Sequence, residues 1–296
     1  MKNRGSVSKI QYNPCCSHQF ACITSEGWIR IFDTKQASYN GGEPTVKIQI
    51  GDSPLKLMDW YGKKIVTVTN KNVIVMVNIN NTHPTNIGEI TSSSTMSVKY
   101  RVEFPYEVTD IMWSRDGKLF ITASSGKLYC VNNDEKLSEF VTKIVVPQTT
   151  TSTSMDTSDG SSVGALGFVV SVSGASLTCL DISNDNKYVV VGSEDSIVSV
   201  LELPELFCIQ THSKFDASIG SVSIRSNEDS NQPPILAYTT RNGAVVVNLS
   251  DEKVLLKTDF SGASSGILHP TLPNIAFIQD DSSGSIDVWV DEFKFN

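Results

Sequence analysis

The chain has 296 residues, 40% of them apolar and 19% charged, with a formal net charge of −8. That length and balance suit a folded soluble protein with a sizeable core and exclude a disordered one. The acidity excludes strong direct binding of nucleic acid, because a phosphate backbone is neutralised by clustered Lys and Arg. The charge is uneven: residues 1–110 hold 12 basic and 9 acidic side chains, whereas residues 216–296 hold 5 and 11. Lys56, Lys63, Lys64 and Lys71 offer a modest basic patch near the start, for which a solvated strand edge is the simpler explanation.

In chain order, the first predicted strands are Val7 to Pro14 (VSKIQYNP), Phe20 to Thr24 (FACIT) and Gly27 to Asp33 (GWIRIFD). Lys64 to Thr69 (KIVTVT) and Val73 to Val77 (VIVMV) follow, and residues 79–98 read as an extended polar loop. Next come Lys118 to Thr122 (KLFIT), Tyr188 to Val191 (YVVV) and Ala244 to Val247 (AVVV). These short, β-branched runs are bounded by Gly, Asn, Asp and Ser, as strands joined by tight turns are. Arg115-Asp116-Gly117, Asn184-Asp185-Asn186 and Arg241-Asn242-Gly243 supply residues that tolerate left-handed backbone. No segment shows a helical period, so almost no helix is expected.

One pattern recurs six times: an apolar strand closed by an anchor residue, a polar turn, a second apolar strand, a small or acidic turn, and an alternating strand. The anchors are Tyr12, Trp60, Trp113, Ile182, Ile224 and Leu268, spaced by 48, 53, 69, 42 and 44 residues. Periods near 40–45 residues mark blades of a β-propeller. The long 69-residue interval contains a Thr/Ser/Gly-rich stretch. It predicts a flexible insertion around residues 148–164 and a returning strand from Leu166 to Val172, because such composition cannot repay its ordering entropy. One all-β domain over residues 1–296 is the simplest organisation.

The fourth copy reads Leu177 to Ser183, Asn186 to Asp195 with Gly192-Ser193-Glu194-Asp195, then Ser196 to Glu202. Strand, turn, strand, G-S-x-D and alternating strand resemble a WD40 blade. That resemblance implies that Asp195 organises its blade by hydrogen bonding. The family's terminal Trp-Asp is replaced by Phe32-Asp33, Val77-Asn78, Val131-Asn132, Leu201-Glu202 and Val247-Asn248, and its Gly-His pair is missing. Gly192, Ser193, Asp195, Val198, Ser199, Val200, Glu205, Leu206 and Cys208 are similar to a phrase of the WD-repeat subunit of the THO (TREX) messenger-RNA export complex. Gly266 to Pro270 with Leu272 to Phe277, and Trp28 to Asp33, resemble two further phrases of that subunit. The resemblance covers most of residues 5–290. It implies seven blades, so the six visible here would leave the first blade missing at the N-terminus.

Motifs of catalysis are absent: no G-x-S-x-G, no P-loop and no H-E-x-x-H. His18, His83, His212 and His269 lack metal-ligand spacing, and His269 reads as part of a His-Pro turn. No apolar run reaches membrane-span length, and the chain opens on a polar stretch rather than a signal peptide. Six cysteines without a C-x-x-C pair fit a reducing compartment. Cys22, Cys130, Cys179 and Cys208 read as core residues. Trp28 and Trp289 are expected in fourth, rim-forming strands.

The expectation is therefore a non-enzymatic scaffold with no cofactor, no metal, no catalytic residue, no small-molecule substrate and no membrane contact. Ser25, Asn70, Ser124, Glu194 and Arg241, each just before a turn Asp or its substitute, are the candidate protein-binding residues carried over from the WD40 pattern. The resemblance implies the large helical THO subunits as partners, RNA only indirectly through the complex, and a nuclear location. A WD40 adaptor of another assembly, in ubiquitin ligation or trafficking, is the alternative.

Overall fold

The computed structural model describes residues 5–35, 42–80, 90–145, 165–226, 233–259, 263–280 and 286–294. The predicted flexible stretch at 148–164 lies outside the described residues. Six antiparallel sheets follow one another, each a meander whose strands neighbour in sequence order. The first holds β1 (Val7–Asn13), β2 (Cys16–Thr24), β3 (Trp28–Asp33) and β4 (Val46–Gln49), and the second holds β5 (Leu55–Tyr61), β6 (Lys64–Thr69), β7 (Val73–Asn80) and β8 (Thr95–Glu103). The third comprises β9 (Val108–Trp113), β10 (Leu119–Ala123), β11 (Lys127–Val131) and β12 (Gly167–Ser171). The fourth is β13 (Leu177–Ile182), β14 (Tyr188–Ser193), β15 (Val198–Glu202) and β16 (Phe207–His212). The fifth is β17 (Ile219–Arg225), β18 (Ile235–Thr240), β19 (Gly243–Asn248) and β20 (Val254–Asp259), and the sixth has three strands, β21 (Ala263–Leu268), β22 (Asn274–Asp280) and β23 (Ile286–Glu292). Each of the six sequence copies forms one sheet.

The chain divides into two compact units. One comprises Met1–Trp113, Gly117–Leu119 and Val131–Gly167; the other comprises Ser114–Asp116, Phe120–Cys130 and Phe168–Asn296. In the first unit, Ile23, Ile29, Met58, Ile65 and Val75 join one core cluster. In the second, Val190, Val200, Ile219, Leu236 and Val245 join another, and Ile235, Val246, Ile275 and Phe277 a third. The middle strands explain themselves from sequence. KIVTVT in β6 and ILAYTT in β18 are apolar or hydroxyl-bearing at nearly every position, and nearly every position is buried. Such runs belong to sheets covered on both faces. Buried threonine hydroxyls there are satisfied, as when Thr67 Oγ1 donates to the Leu57 carbonyl at 2.8 Å.

A polar residue just before the anchor ties one sheet to the next. In the first unit, Gln11 Nε2 donates to Asp59 Oδ1, and Asp59 Oδ2 accepts from the backbone N–H of Trp113. In the second unit, Asp181 Oδ2 accepts from the N–H of Ile224 at 2.8 Å, and Ser223 Oγ from that of Leu268 at 3.2 Å. The links from Asp59, Asp181 and Ser223 each satisfy a backbone N–H on the first strand of the following sheet.

The structure departs from the sequence reading in four places. A 3₁₀ turn, η1 (Asp134–Lys136), leads into a helix, α1 (Leu137–Val145). Asn133 caps the turn by accepting from the Glu135 N–H at 3.0 Å, and Leu137, Phe140 and Val141 form a buried stripe at helical spacing. The stripe spans too few turns to stand out as a period in sequence. The expected loop at 79–98 is shorter, because β7 runs to Asn80 and β8 begins at Thr95. Cys208 is exposed, because β16 is the outermost strand of its sheet. Trp28 and Trp289 sit on third strands, β3 and β23, because those strands begin directly after the second turn.

Candidate protein-interaction surfaces

The five candidate residues occupy one structural position. Ser25, Asn70, Ser124, Glu194 and Arg241 each follow the last residue of the second strand in their sheet, after Thr24, Thr69, Ala123, Ser193 and Thr240. Three of these turns are pinned alike. The N–H of Ser25 donates to Ser6 O, that of Asn70 to Pro54 O and that of Glu194 to Ser176 O, each at 2.9 Å. Asn70, Ser124, Glu194 and Arg241 are exposed and Ser25 is half-buried. Their backbones are fixed and their side chains project from rigid turns, the arrangement by which scaffolds present recognition groups.

Asp195 organises its turn. It accepts from the hydroxyl of Ser193 and from that of Ser173 at 2.8 Å. Burial pushes its carboxyl up, but these hydroxyl donors and two backbone donors outweigh it and hold the group below the usual carboxylate range. A second Ser–Asp device follows the anchors: Ser114 Oγ donates to Asp116 Oδ1 at 2.5 Å, and Ser183 Oγ to Asp185 Oδ1 at 2.6 Å. At Asp185 burial again pushes upward, and the hydroxyls of Ser183 and Ser226 prevail to lower it. His269 holds its turn, Nδ1 accepting from the N–H groups of Thr271 at 3.1 Å and Leu272 at 2.9 Å. The basic patch is partly neutralised, with Lys56 3.4 Å from Glu107 and Lys64 2.7 Å from Asp134.

Two sheet faces are uncovered, and sequence reasoning did not find them. In the sixth sheet, the register aligns Ile267 with Ala276 and Val290, and Ser265 with Ile278 and Val288. One face buries Leu268, Ile275 and Phe277, while the opposite face leaves Ile267 65%, Val288 69% and Val290 64% exposed. In the first sheet, Tyr12, Phe20 and Phe32 align across three strands, with ring centroids 5.9 and 5.2 Å apart. Tyr12 and Ile10 on that face are exposed. Middle strands elsewhere are buried on both faces, so these surfaces are exceptions within their own units. The sequence carries no separate signal for them, because β22 (NIAFIQD) is apolar at both parities just as strands buried on both faces are.

Among the described residues, no group of three His, Cys, Asp or Glu side chains is arranged to hold a metal ion. No described helix is long and apolar enough to cross a membrane.

Residues 167–201, from β12 to β15, match the WD40 family, described as WD domain, G-beta repeat. That stretch reads as one WD40 repeat. Its fold is similar to the crystal structure of the Myceliophteria_thermophila Cps50 (Swd1) β-propeller domain, with a TM-score of 0.65 at 11% identity over 96% of this chain and 83% of that one. At that identity the likeness concerns the fold alone, an all-β, six-bladed WD40 propeller in which each sheet is a blade. WD repeat-containing protein AAC3 of Dictyostelium discoideum is 23% identical over 295 residues, which is 99% of this chain and 52% of that protein. The chain thus spans about half the length of this relative.

Proposed function

We propose that the chain is a non-enzymatic WD40 scaffold subunit of the THO (TREX) complex, which contacts the large helical subunits in the nucleus and couples transcription to messenger-RNA processing and export. RNA is reached only through the complex, since the chain carries a net charge of −8. The observation that carries the scaffold reading is the uncovered face of Ile267, Ile278, Val288 and Val290. Single exposed aliphatics need no explanation, but a contiguous patch of them marks an interaction site. Full burial of one such side chain is worth about 1.5–3 kcal/mol, so covering this face supplies several kcal/mol against the cost of association. The apolar stripe of an amphipathic helix is a natural cover for a sheet face, which agrees with helical partners. The blade phrases around Gly192 to Cys208 and Gly266 to Phe277 support the THO assignment. Ser25, Asn70, Ser124, Glu194 and Arg241 supply the polar selectivity at the turns.

The test is affinity purification of the tagged chain from nuclear extract, with crosslinking and mass spectrometry. Large helical THO subunits crosslinked to the chain are the expected result. Recovery of a ubiquitin-ligase or trafficking assembly instead, or of the chain alone, overturns the assignment.

A further inference from the structure

The hairpin between β1 and β2 carries adjacent cysteines, Cys15 and Cys16. Cys16 and His18 are two residues apart on β2, so both side chains leave the same face of the strand. Cys16 Sγ lies 3.2 Å from His18 Nδ1 and 3.4 Å from Nε2. The same Nε2 also lies 3.6 Å from Oδ2 of Asp33, whose side chain is 2% exposed. That carboxylate is fixed in turn, accepting from Gln19 Nε2 at 3.2 Å and from the Lys35 N–H at 2.9 Å. Thiol, imidazole and buried carboxylate thus meet in one cluster, the three kinds of group that activate a nucleophile. An open cavity of about 620 Å³, lined by Tyr12, Asn13, Pro14, Cys15, Cys16 and Ser17, gives a small reagent access to the sulfur. No second strand of the other five sheets carries a Cys-x-His sequence, so the repeat itself does not require the group.

We propose that Cys16 is a hydroperoxide-reactive thiol, with His18 as its proton acceptor and Asp33 as the residue that positions the imidazole. In the reaction, His18 takes the thiol proton and the thiolate attacks one peroxide oxygen. The O–O bond breaks and the sulfur is oxidised by two electrons to a sulfenic acid. The other peroxide oxygen recovers the proton from His18 and departs as water, or as an alcohol from an organic hydroperoxide. The site lies on the hairpin beside the exposed Tyr12 face, so oxidation places a new polar group at the margin of that surface.

The protein supplies its own control, because Cys208 is exposed and its sulfur donates only to a backbone carbonyl, Gln210 O at 3.5 Å. The experiment uses the full chain with Cys15→Ser, so that labelling at Cys16 is unambiguous. Limiting iodoacetamide at neutral pH, read by peptide mass spectrometry, is expected to modify Cys16 about tenfold faster than Cys208, since an ordinary thiol is only a few per cent thiolate there. Hydrogen peroxide followed by dimedone is expected to trap sulfenic acid at Cys16 and not at Cys208. His18→Gln should bring Cys16 down to the rate of Cys208 with the melting temperature retained. A wild-type Cys16 no faster than Cys208 overturns the proposal before any histidine variant is made. So does a Cys16 rate left unchanged by His18→Gln.

Discussion

Replacing Asp59 with alanine is expected to destabilise the protein by roughly 2–5 kcal/mol, read as a lowered midpoint in urea unfolding. Asp59 is buried, and its donors include the Gln11 side-chain amide and the backbone N–H of Trp113 on two other strands. Alanine strands both, and each unsatisfied buried donor costs about 1–3 kcal/mol. Asparagine behaves differently. Its Oδ1 accepts from Trp113 while its Nδ2 donates to Gln11 Oε1, an atom that is buried without a partner in the native arrangement, once the Gln11 amide turns over. Asp59→Asn is therefore expected to stay within about 1 kcal/mol of wild type.

The same residue fixes a pH dependence. Burial, the largest influence on Asp59, raises its carboxyl above the ordinary aspartate value despite the hydrogen bonds it accepts. The folded state therefore binds this proton more tightly than the unfolded chain does. Its contribution is complete below the unfolded value of 3.8 and is lost as pH rises through the folded one. Asp59→Asn should remove that loss, gaining on wild type as pH rises from acid towards neutrality.

Gly27→Ala is expected to cost about 3 kcal/mol or more, several times the cost of Gly62→Ala. Both glycines have left-handed φ, +77° and +54°, so both pay the roughly 1 kcal/mol of a side chain in that region. They differ in surroundings. A Cβ at Gly62 meets nothing within 4 Å, whereas one at Gly27 stands 1.8 Å from the Gly51 carbonyl oxygen. Relieving that overlap displaces the strand leaving β4 and breaks the 2.8 Å bond from the Ile50 N–H to Gly27 O. The corresponding turn positions in the second and fourth sheets, Asn72 and Ser196, have φ of 59° and 69° and carry side chains, whereas Gly126 in the third sheet is crowded as Gly27 is, a Cβ there standing 2.2 Å from the Ser173 carbonyl oxygen. Comparing the two alanine variants by thermal unfolding separates the backbone cost from the collision.

The strands were legible in the sequence because their signals are local. Runs such as KIVTVT and ILAYTT and turns such as Arg115-Asp116-Gly117 place strand and hairpin without reference to the rest of the chain. Asn186 and Gly117 do adopt the positive φ that such turns require. The anchors were legible as well, but the polar residues before them were not recognised. Gln11, Asp59, Asp181 and Ser223 interrupt apolar strands at one repeat position, and what they bind lies in the next repeat, 43–54 residues on: backbone N–H groups for Asp59, Asp181 and Ser223, and the Asp59 carboxylate for Gln11. Helix α1 escaped because its buried stripe rests on Leu137, Phe140 and Val141 alone. The meeting of Cys16 and His18 with Asp33 depends on β2–β3 register, which pairs Gln19 with Asp33, and register is a property of the sheet. The uncovered faces depend on which sheets have a neighbour on each side, which strand patterning alone does not state.

The most direct test of the scaffold account is partner recovery by a face variant. Ile267→Lys combined with Val290→Lys places two charges on the uncovered face of the sixth sheet while its buried face, with Ile275 and Phe277, is untouched. The account predicts that this variant folds, by circular dichroism and melting temperature, and loses about tenfold or more of the partner recovered with wild type, while the isolated surface change Val254→Lys recovers it fully. Undiminished recovery by the folded face variant, with loss instead on Glu194→Lys or Arg241→Glu, would contradict the account and move the interface to the turns.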